Sequence, residues 1–592
     1  MKKTYNTLII GTGCAGYHAA ERLFKLGVTD IAIMTEGRFM GTSRNTGSDK
    51  QTYYKLSLAG DDGDSVRELA KTLYEGGGVM GDIALVEAAY STRCFMHLVE
   101  LGVPFPRNEY GEYAGYKTDH DPRRRATSSG PLTSKYMTEA LENEVMRLGI
   151  EIIDGYRAVK LITQDNEILG VIAYSAENNE WVSVGAKNVI LATGGPAGIY
   201  ECSVYPKSQN GALGLAASAG CDLVNLEEWQ YGIASTDFRW NLSGTYQQVI
   251  PRYVSLDKDG IWREFIYDAL SENGFNDIFL KGYQWPFDTE KCEGSSRIDL
   301  LVAKEIKAGR RVFLDYTKNP TGLSCDLSCL GDEAYSYLKN SGAILPTPIE
   351  RLLKMNPGAY ELYLNNGIDL KSELLEIAVC AQHCNGGISV DTNWQTNIKG
   401  LFAAGEAAGT FGVYRPGGSA LNSTQVGSLR CAEFIARERR GNASALPFEE
   451  PFKIKQGSGN AKELTKKLRH EMSCISDFER NVPKMKLQLE YLIRLADNFE
   501  NEVTVKDTRE VLDYIILYDL VIAQRAVLSA MIFSAENIGT HGSAYVLNDI
   551  RDKKEARRDT QTLTRHFASS FIPTKPIPDA ELWFEKLLAK RA

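Results

Sequence analysis

Apolar positions near the start of the chain fall into two short runs, separated by a glycine-rich turn and an amphipathic stretch. Residues 5–10, Tyr-Asn-Thr-Leu-Ile-Ile, read as a strand, and Tyr17 to Leu26 as a helix closing at Gly27. Residues 30–35 read as a second strand. The turn between the first strand and the helix is Gly11-Thr-Gly13-Cys-Ala-Gly16. Strand, glycine turn, helix and strand in that order make a dinucleotide-binding unit. Helical periodicity returns over 65–75, 82–102 and 132–149, and strand patterns over 150–153, 159–163, 168–175 and 181–184. Val189-Ile-Leu-Ala-Thr-Gly-Gly195 has no polar alternation in its apolar half, as expected of a buried parallel strand entering a turn.

Between about 235 and 380 the pattern changes. Phe238, Trp240, Tyr246, Tyr253, Trp262, Phe265, Tyr267, Tyr283 and Trp285 make this stretch dense in aromatics. A smaller α+β domain inserted in the first is expected here. The first pattern resumes at Gly386, with strands near 388–391 and 401–404 and a helix from about Ser423 to Glu438. Residues 439–460 read as a linker and 461–536 as helical, followed by a polar, mixed tail. The predicted fold class is α/β: a Rossmann-like domain over 1–234 and 381–440, a capping domain over 235–380 and a C-terminal helical domain over 455–592.

Composition narrows the function classes. The 592 residues are 43% hydrophobic, 24% charged and 10% aromatic, which excludes a mainly disordered or fibrous protein. A net charge of −9 argues against a nucleic-acid partner. The 11 cysteines read as free thiols of a reducing compartment. Cys325/Cys329 and Cys380/Cys384 lack metal-ligand spacing, so no metal is expected. Val511 to Phe533 is apolar but carries Asp513, Asp519 and Arg525, against a lipid-exposed span. Lys2 and Lys3 precede only the short run Leu8 to Ile10, so no signal peptide is expected. These features lead us to expect a soluble cytoplasmic protein without membrane insertion.

The glycines suggest the cofactor. Gly11 permits a tight turn, Gly13 lets the backbone approach a pyrophosphate, and Gly16 allows close helix packing. The following helix N-terminus offers free N–H groups to phosphate. Glu36, at the end of the second strand, is placed for a ribose hydroxyl. Two more glycine turns end apolar strands, at Thr193-Gly194-Gly195 and Gly405-Glu406, and Gly417-Gly-Ser419-Ala-Leu421-Asn422 precedes another helix. One such turn would serve a nicotinamide enzyme; the extended set is typical of FAD enzymes with an inserted substrate domain.

With these motifs in order, the chain resembles the flavoprotein subunits of succinate dehydrogenase and fumarate reductase, together with L-aspartate oxidase. The resemblance runs from Leu8 to about Gly542, through Leu191-Ala-Thr-Gly-Gly195, Gly214 to Gly220, Ser296-Arg297-Ile-Asp299, His383, Gly400 to Glu406, Arg415-Pro-Gly-Gly418 and Gly539-Thr-His541. It implies an FAD domain, a capping domain and a C-terminal helical domain, with substrate between the first two. It implies Arg297 as proton donor, Arg415 as carboxylate clamp and His383 as an assisting group, with Arg252 as a further candidate. It also implies a cofactor bed of Gly11, Gly13, Cys14, Ala15, Gly16, Thr35, Glu36, Ser43, Thr46, Gly47, Thr193, Gly194, Gly405, Glu406, Ser419 and Leu421. Cations on a substrate carboxylate would stabilise the enolate-like charge that develops during C=C reduction.

The chain departs from the family in four places. No histidine stands in Thr42-Ser43-Arg44-Asn45-Thr46-Gly47, where the family attaches its flavin, so FAD is expected to be noncovalent. Trp229-Gln230-Tyr231-Gly232-Ile233 replaces Phe-His-Pro-Thr-Gly, turning a substrate-binding histidine into Gln230. Gln248-Val-Ile-Pro-Arg252-Tyr253 keeps an arginine but loses the acidic relay. Glu536-Asn-Ile538-Gly539-Thr-His541 loses its arginine. The expected function is a soluble FAD-dependent oxidoreductase moving a hydride between flavin N5 and a carboxylate-bearing, α,β-unsaturated or saturated acid. The alternatives are a flavoprotein subunit paired with an iron–sulfur or flavin electron-transfer protein, and an O2-using amino-acid oxidase.

Overall fold

The computed structural model describes residues 4–61, 63–549 and 559–589. Lys2 and Lys3, and the stretches 550–558 and 590–592 of the expected C-terminal domain, lie outside the described residues.

The first domain is built on a seven-stranded sheet. Strand β1 (Thr4–Ile10) leads through the glycine turn into helix α1 (Cys14–Lys25) and strand β2 (Ile31–Thr35). Strands β3 (Glu151–Asp154), β4 (Arg157–Gln164), β5 (Glu167–Ser175) and β6 (Glu180–Leu191) complete the continuous path, in the order β3-β2-β1-β6-β5-β4. β1 is parallel to both β2 and β6, and Leu401–Ala403 adds a seventh strand parallel to β6. β5 is antiparallel to β4 and to β6. The sequence pattern predicts two separate strands at 181–184 and 189–191. They are one, β6, because Val184 to Leu191 is apolar enough to stay buried while it changes neighbours from β5 to β1.

Helix α2 (Gly81–Glu100) packs on the helices Val66–Tyr74 and Ser419–Glu438. The expected helix over 65–75 is Val66–Tyr74, and that over 132–149 is Thr133–Arg147.

A second, six-stranded antiparallel sheet forms the cap. Its strands β7 (Trp229–Ser235) and β8 (Leu375–Cys384) are paired along their length, with Gln230 opposite His383. The sheet therefore takes in 229–234 and 381–384, which the sequence pattern assigns to the first domain. Both strands are buried except at Glu376, so they lack the alternation that marks an edge of the insertion.

Helix α3 (Ser419–Glu438) packs on α1, and its Ser428 hydroxyl donates to the Ala15 carbonyl at 2.8 Å. It begins four residues earlier than expected, after Gly418 in the left-handed region at φ 91°. The later helices Ala461–Ile475 and Val482–Asp497 pack on α4 (Val511–Asn537). α4 is long and apolar enough to cross a membrane, but most of its apolar window is buried inside the protein. The tail is not helical up to its end. Thr560–Arg565 and Ala568–Pro573 form a hairpin, and its first strand pairs with Leu223–Val224 of the first domain. Its β-branched and hydroxyl residues suit a half-buried strand better than a helix.

Candidate active site

One cavity of ≈ 1120 Å³ runs between the two large sheets. It starts at Thr35, Glu36, Arg157 and Ala158, passes Gly13, Thr42 and Ser43, and reaches Gln230, His383, Glu406, Arg415 and Leu421.

The glycine turn is required where it stands. Gly11 has φ 114°, and a Cβ there would lie 2.4 Å from the Ala192 carbonyl oxygen. A Cβ on Gly16 would lie 2.0 Å from the Gly11 oxygen, so this glycine lets α1 approach its own turn. Gly16 and Cys14 are not on the cavity wall: Cys14 is buried, its Sγ 3.1 Å from Thr138 Oγ1, and burial raises its thiol pKa. Gly13 caps α1 without a side chain, leaving N–H groups free at the positive end of the helix. Ser43 Oγ accepts from the Cys14 N–H at 3.3 Å and lines the same stretch of cavity. Glu36 is held on one side by Arg157 at 2.7 Å, which leaves carboxylate lone pairs for a hydroxyl donor.

At the other end α3 also starts on a glycine with no side-chain cap. Thr46, Gly47, Thr193, Gly194, Gly405, Glu406 and Leu421 line this end, and Ser419 sits just behind it, donating to the Pro416 carbonyl at 2.8 Å. Two uncapped helix N-termini, glycine-lined approaches and a ribose acid at one end make a bed that FAD fits. When bound there, FAD supplies hydride acceptance and donation.

Beside this end of the cavity stands a polar cluster. Arg415 is buried and donates to Gln230 Oε1 at 2.7 Å and Asn385 Oδ1 at 3.2 Å, with Ser419 Oγ at 3.5 Å. Among the described residues it has no carboxylate within 4.0 Å, and burial lowers its pKa to about 10. It is therefore a cation at neutral pH, held by neutral partners. His383 Nδ1 lies 3.2 Å from the same Asn385 oxygen. That oxygen already accepts from Arg415, while Asn385 Nδ2 donates to the Gly412 carbonyl at 2.8 Å. Nδ1 must then carry the hydrogen, leaving the lone pair on Nε2. Nε2 is buried without a hydrogen-bond partner, 3.8 Å from Glu406. Burial and the charge of Arg415 hold the His383 pKa well below its usual value. Glu406 accepts from the Cys384 N–H at 3.1 Å and from the Tyr205 hydroxyl, and burial raises its pKa.

Two expected residues are placed elsewhere. Arg297 donates to Asp277 at 2.6 Å and is not on the cavity wall. Arg252 pairs with Asp315 at 2.6 Å and likewise stays off the wall. Each is a cation paired with a cap carboxylate. The sequence reading missed Asn385, Gln382, Tyr205 and Trp285. Asn385 could have been found by its place between His383 and Gly386; the others carry no local signal.

One group of potential metal ligands occurs among the described residues, His18, Glu21 and His97. The Glu21 carboxylate accepts from Arg22 and pairs with Lys25 at 2.8 Å. It is the hub of an ion-pair network, and a dication would meet two cations there.

A family profile described as FAD binding domain matches residues 6–261 and 361–421, more than half of the chain. The chain belongs to the FAD binding domain family. It is an FAD-dependent oxidoreductase resembling fumarate reductase and succinate dehydrogenase flavoprotein subunits. It is 27% identical over 558 residues to a subunit of the fumarate reductase (CoM/CoB) of Methanothermobacter marburgensis, covering 90% of this chain and 93% of that one. It is 25% identical over 464 residues to L-aspartate oxidase 2 of Ralstonia nicotianae, covering 76% and 75%. The fold is also that of the Mycobacterium smegmatis Sdh1 complex in the apo form, with a TM-score of 0.73 at 19% identity over 98% of this chain and 95% of that one.

Proposed function

We propose that this flavoprotein interconverts a saturated and an α,β-unsaturated carboxylate, with the carboxylate on Arg415 and FAD held noncovalently. The observation that carries this reading is the buried Arg415 guanidinium, whose partners are all neutral. A desolvated cation of this kind is costly until an anion pairs with it, and its planar fork fits a carboxylate. In the oxidative direction the substrate loses a hydride from one carbon and a proton from its neighbour. His383 Nε2 takes the proton: His383 lines the cavity, and this nitrogen has no hydrogen-bond partner of its own. In the reductive direction the same atom returns it. The resemblance assigns the proton to Arg297, but its pairing with Asp277 favours His383.

The flavin is noncovalent in this proposal because Thr42 to Gly47 contains no histidine. An electron-transfer partner completes the cycle, as the relative named as one subunit of a fumarate reductase suggests, and the protein works in the cytoplasm. An O2-using oxidase is the second reading, favoured by the relatives named L-aspartate oxidase. Anaerobic mixing of the photoreduced enzyme with unsaturated acids tests the first: flavin reoxidation without O2 supports it. Peroxide release with amino acids, and no anaerobic reoxidation, would favour the oxidase.

A further inference from the structure

Away from β7 and β8, the cap's share of the cavity wall differs from the other walls in charge. Its residues between Asn241 and Asn356 include no lysine, arginine or histidine, and Glu333 is the one ionisable acid among them. The cavity's basic side chains, Lys50, Lys117, His120, Arg157, His383 and Arg415, stand on segments outside 235–374. The cap instead presents Phe279, Tyr283, Trp285, Tyr337 and Met355.

Trp285 is the one that adjoins the reacting end. It is seated on Gly232, where a Cβ would come within 2.9 Å of its ring, so the indole rests against bare strand backbone. Gly232 lies two residues from Gln230, the partner of Arg415. The Gly232 carbonyl accepts from Gln382 Nε2 at 2.9 Å, and Gln382 precedes His383. The segment carrying Trp285 is pinned by the Phe287 N–H, which donates to the Tyr231 carbonyl at 2.7 Å. Trp285 is half-buried and lines the cavity. Gln230, Arg415, Gln382, His383 and Trp285 all line the cavity, with Gly232 behind the indole.

We propose that Trp285 sets the substrate class: an acid held by one carboxylate at Arg415, whose body is a flat apolar group, an aromatic ring above all, stacked on the indole. This rests on the carboxylate reading of Arg415 given above. A second carboxylate reaching toward the cap would meet no cation there and would lose its hydration without a partner. An aryl group would gain stacking and apolar burial on the same wall.

The test is equilibrium binding to the FAD-loaded enzyme, read from the shift in the visible flavin spectrum, with propanoate, phenylpropanoate and succinate. Phenylpropanoate should bind at least tenfold more tightly than propanoate and more tightly than succinate. Trp285→Ala should bring phenylpropanoate to within about twofold of propanoate, with FAD content and propanoate affinity unchanged. Gly232→Ala, whose added methyl displaces the indole, should cause the same selective loss and serves if Trp285→Ala fails to fold. Equal binding of the two monocarboxylates by the wild type, tighter succinate, no detectable phenylpropanoate binding, or a ratio that neither variant changes would overturn the proposal. Arg415→Ala separates the two levels. If it weakens all three acids alike, the carboxylate reading stands whatever Trp285 does; if it weakens none, that reading fails first.

Discussion

Arg415 donates through Nη2 to the Gln230 amide oxygen at 2.7 Å, joining the segment before α3 to the first residues of the cap sheet. The bond orients the guanidinium without neutralising it. Arg415→Ala should therefore weaken carboxylate binding at least tenfold, about 1.4 kcal/mol, and leave FAD bound. The pH dependence follows from the lowered pKa of about 10. The residue is cationic below that value, so carboxylate affinity should be flat from pH 7 to 9 and decline as pH rises through 10. Titration of the flavin spectrum at several pH values measures both. A neutral amide analogue binding as tightly as the acid would contradict the assignment.

His383 is expected to carry the proton and not the ligand. His383→Gln keeps a hydrogen-bonding side chain of similar reach but has no titratable nitrogen. Turnover should fall by roughly 10²–10⁴-fold, with FAD content and carboxylate affinity within about twofold of wild type. Stopped-flow flavin reduction and equilibrium titration separate the two effects. Loss of affinity with an unchanged chemical step would make His383 a binding residue instead.

Glu87 on α2 gives a stability prediction with a defined sign. It is buried against α3, donor Ser423 lies 2.6 Å away, and burial raises its pKa to about 7. The folded protein holds this proton more tightly than the unfolded chain, whose glutamates titrate near 4.3. The stabilisation is complete below the unfolded value and is lost as pH rises through 7. Glu87→Gln mimics the protonated form. Its melting temperature should match wild type at about pH 4 and exceed it at about pH 8. A difference that does not change with pH would mean that Glu87 titrates normally.

Noncovalent FAD has a simple readout. Acid precipitation should leave the yellow colour in the supernatant, because Thr42 to Gly47 contains no histidine for attachment. Colour remaining with the pellet would require a bond from another residue.

The cofactor end was legible because its chemistry is local. Gly11, Gly13 and Gly16 stand within one turn of six residues, and Glu36 follows the end of the next strand. Arg415 and His383 were legible through motif order, and both reach the wall. Arg297 and Arg252 were not separable from them by sequence. Only the fold reveals that Asp277 and Asp315 already pair with them. The cap boundary was missed because β7 and β8 are buried on both faces, so they read like strands of the first sheet. Trp285 was visible as an aromatic, but its seat on Gly232 joins residues brought together only by tertiary packing.

The strand Leu401–Ala403 completes the first sheet beside β6, yet about 200 residues are synthesised between Leu191 and Leu401, on the order of 10–40 s at ~5–20 residues per second. Throughout that interval the emerging β6 has an open edge, and the flavin bed lacks Gly405 and α3. The hairpin that pairs with Leu223–Val224 arrives later still, and its Thr562 N–H donates to Asn225 Oδ1 at 3.1 Å. Asn225 in turn donates to the Phe411 and Gly78 carbonyls, close to the loop that bears Arg415. A chain that stops short of this hairpin would therefore leave Leu223–Val224 without a partner strand on that side.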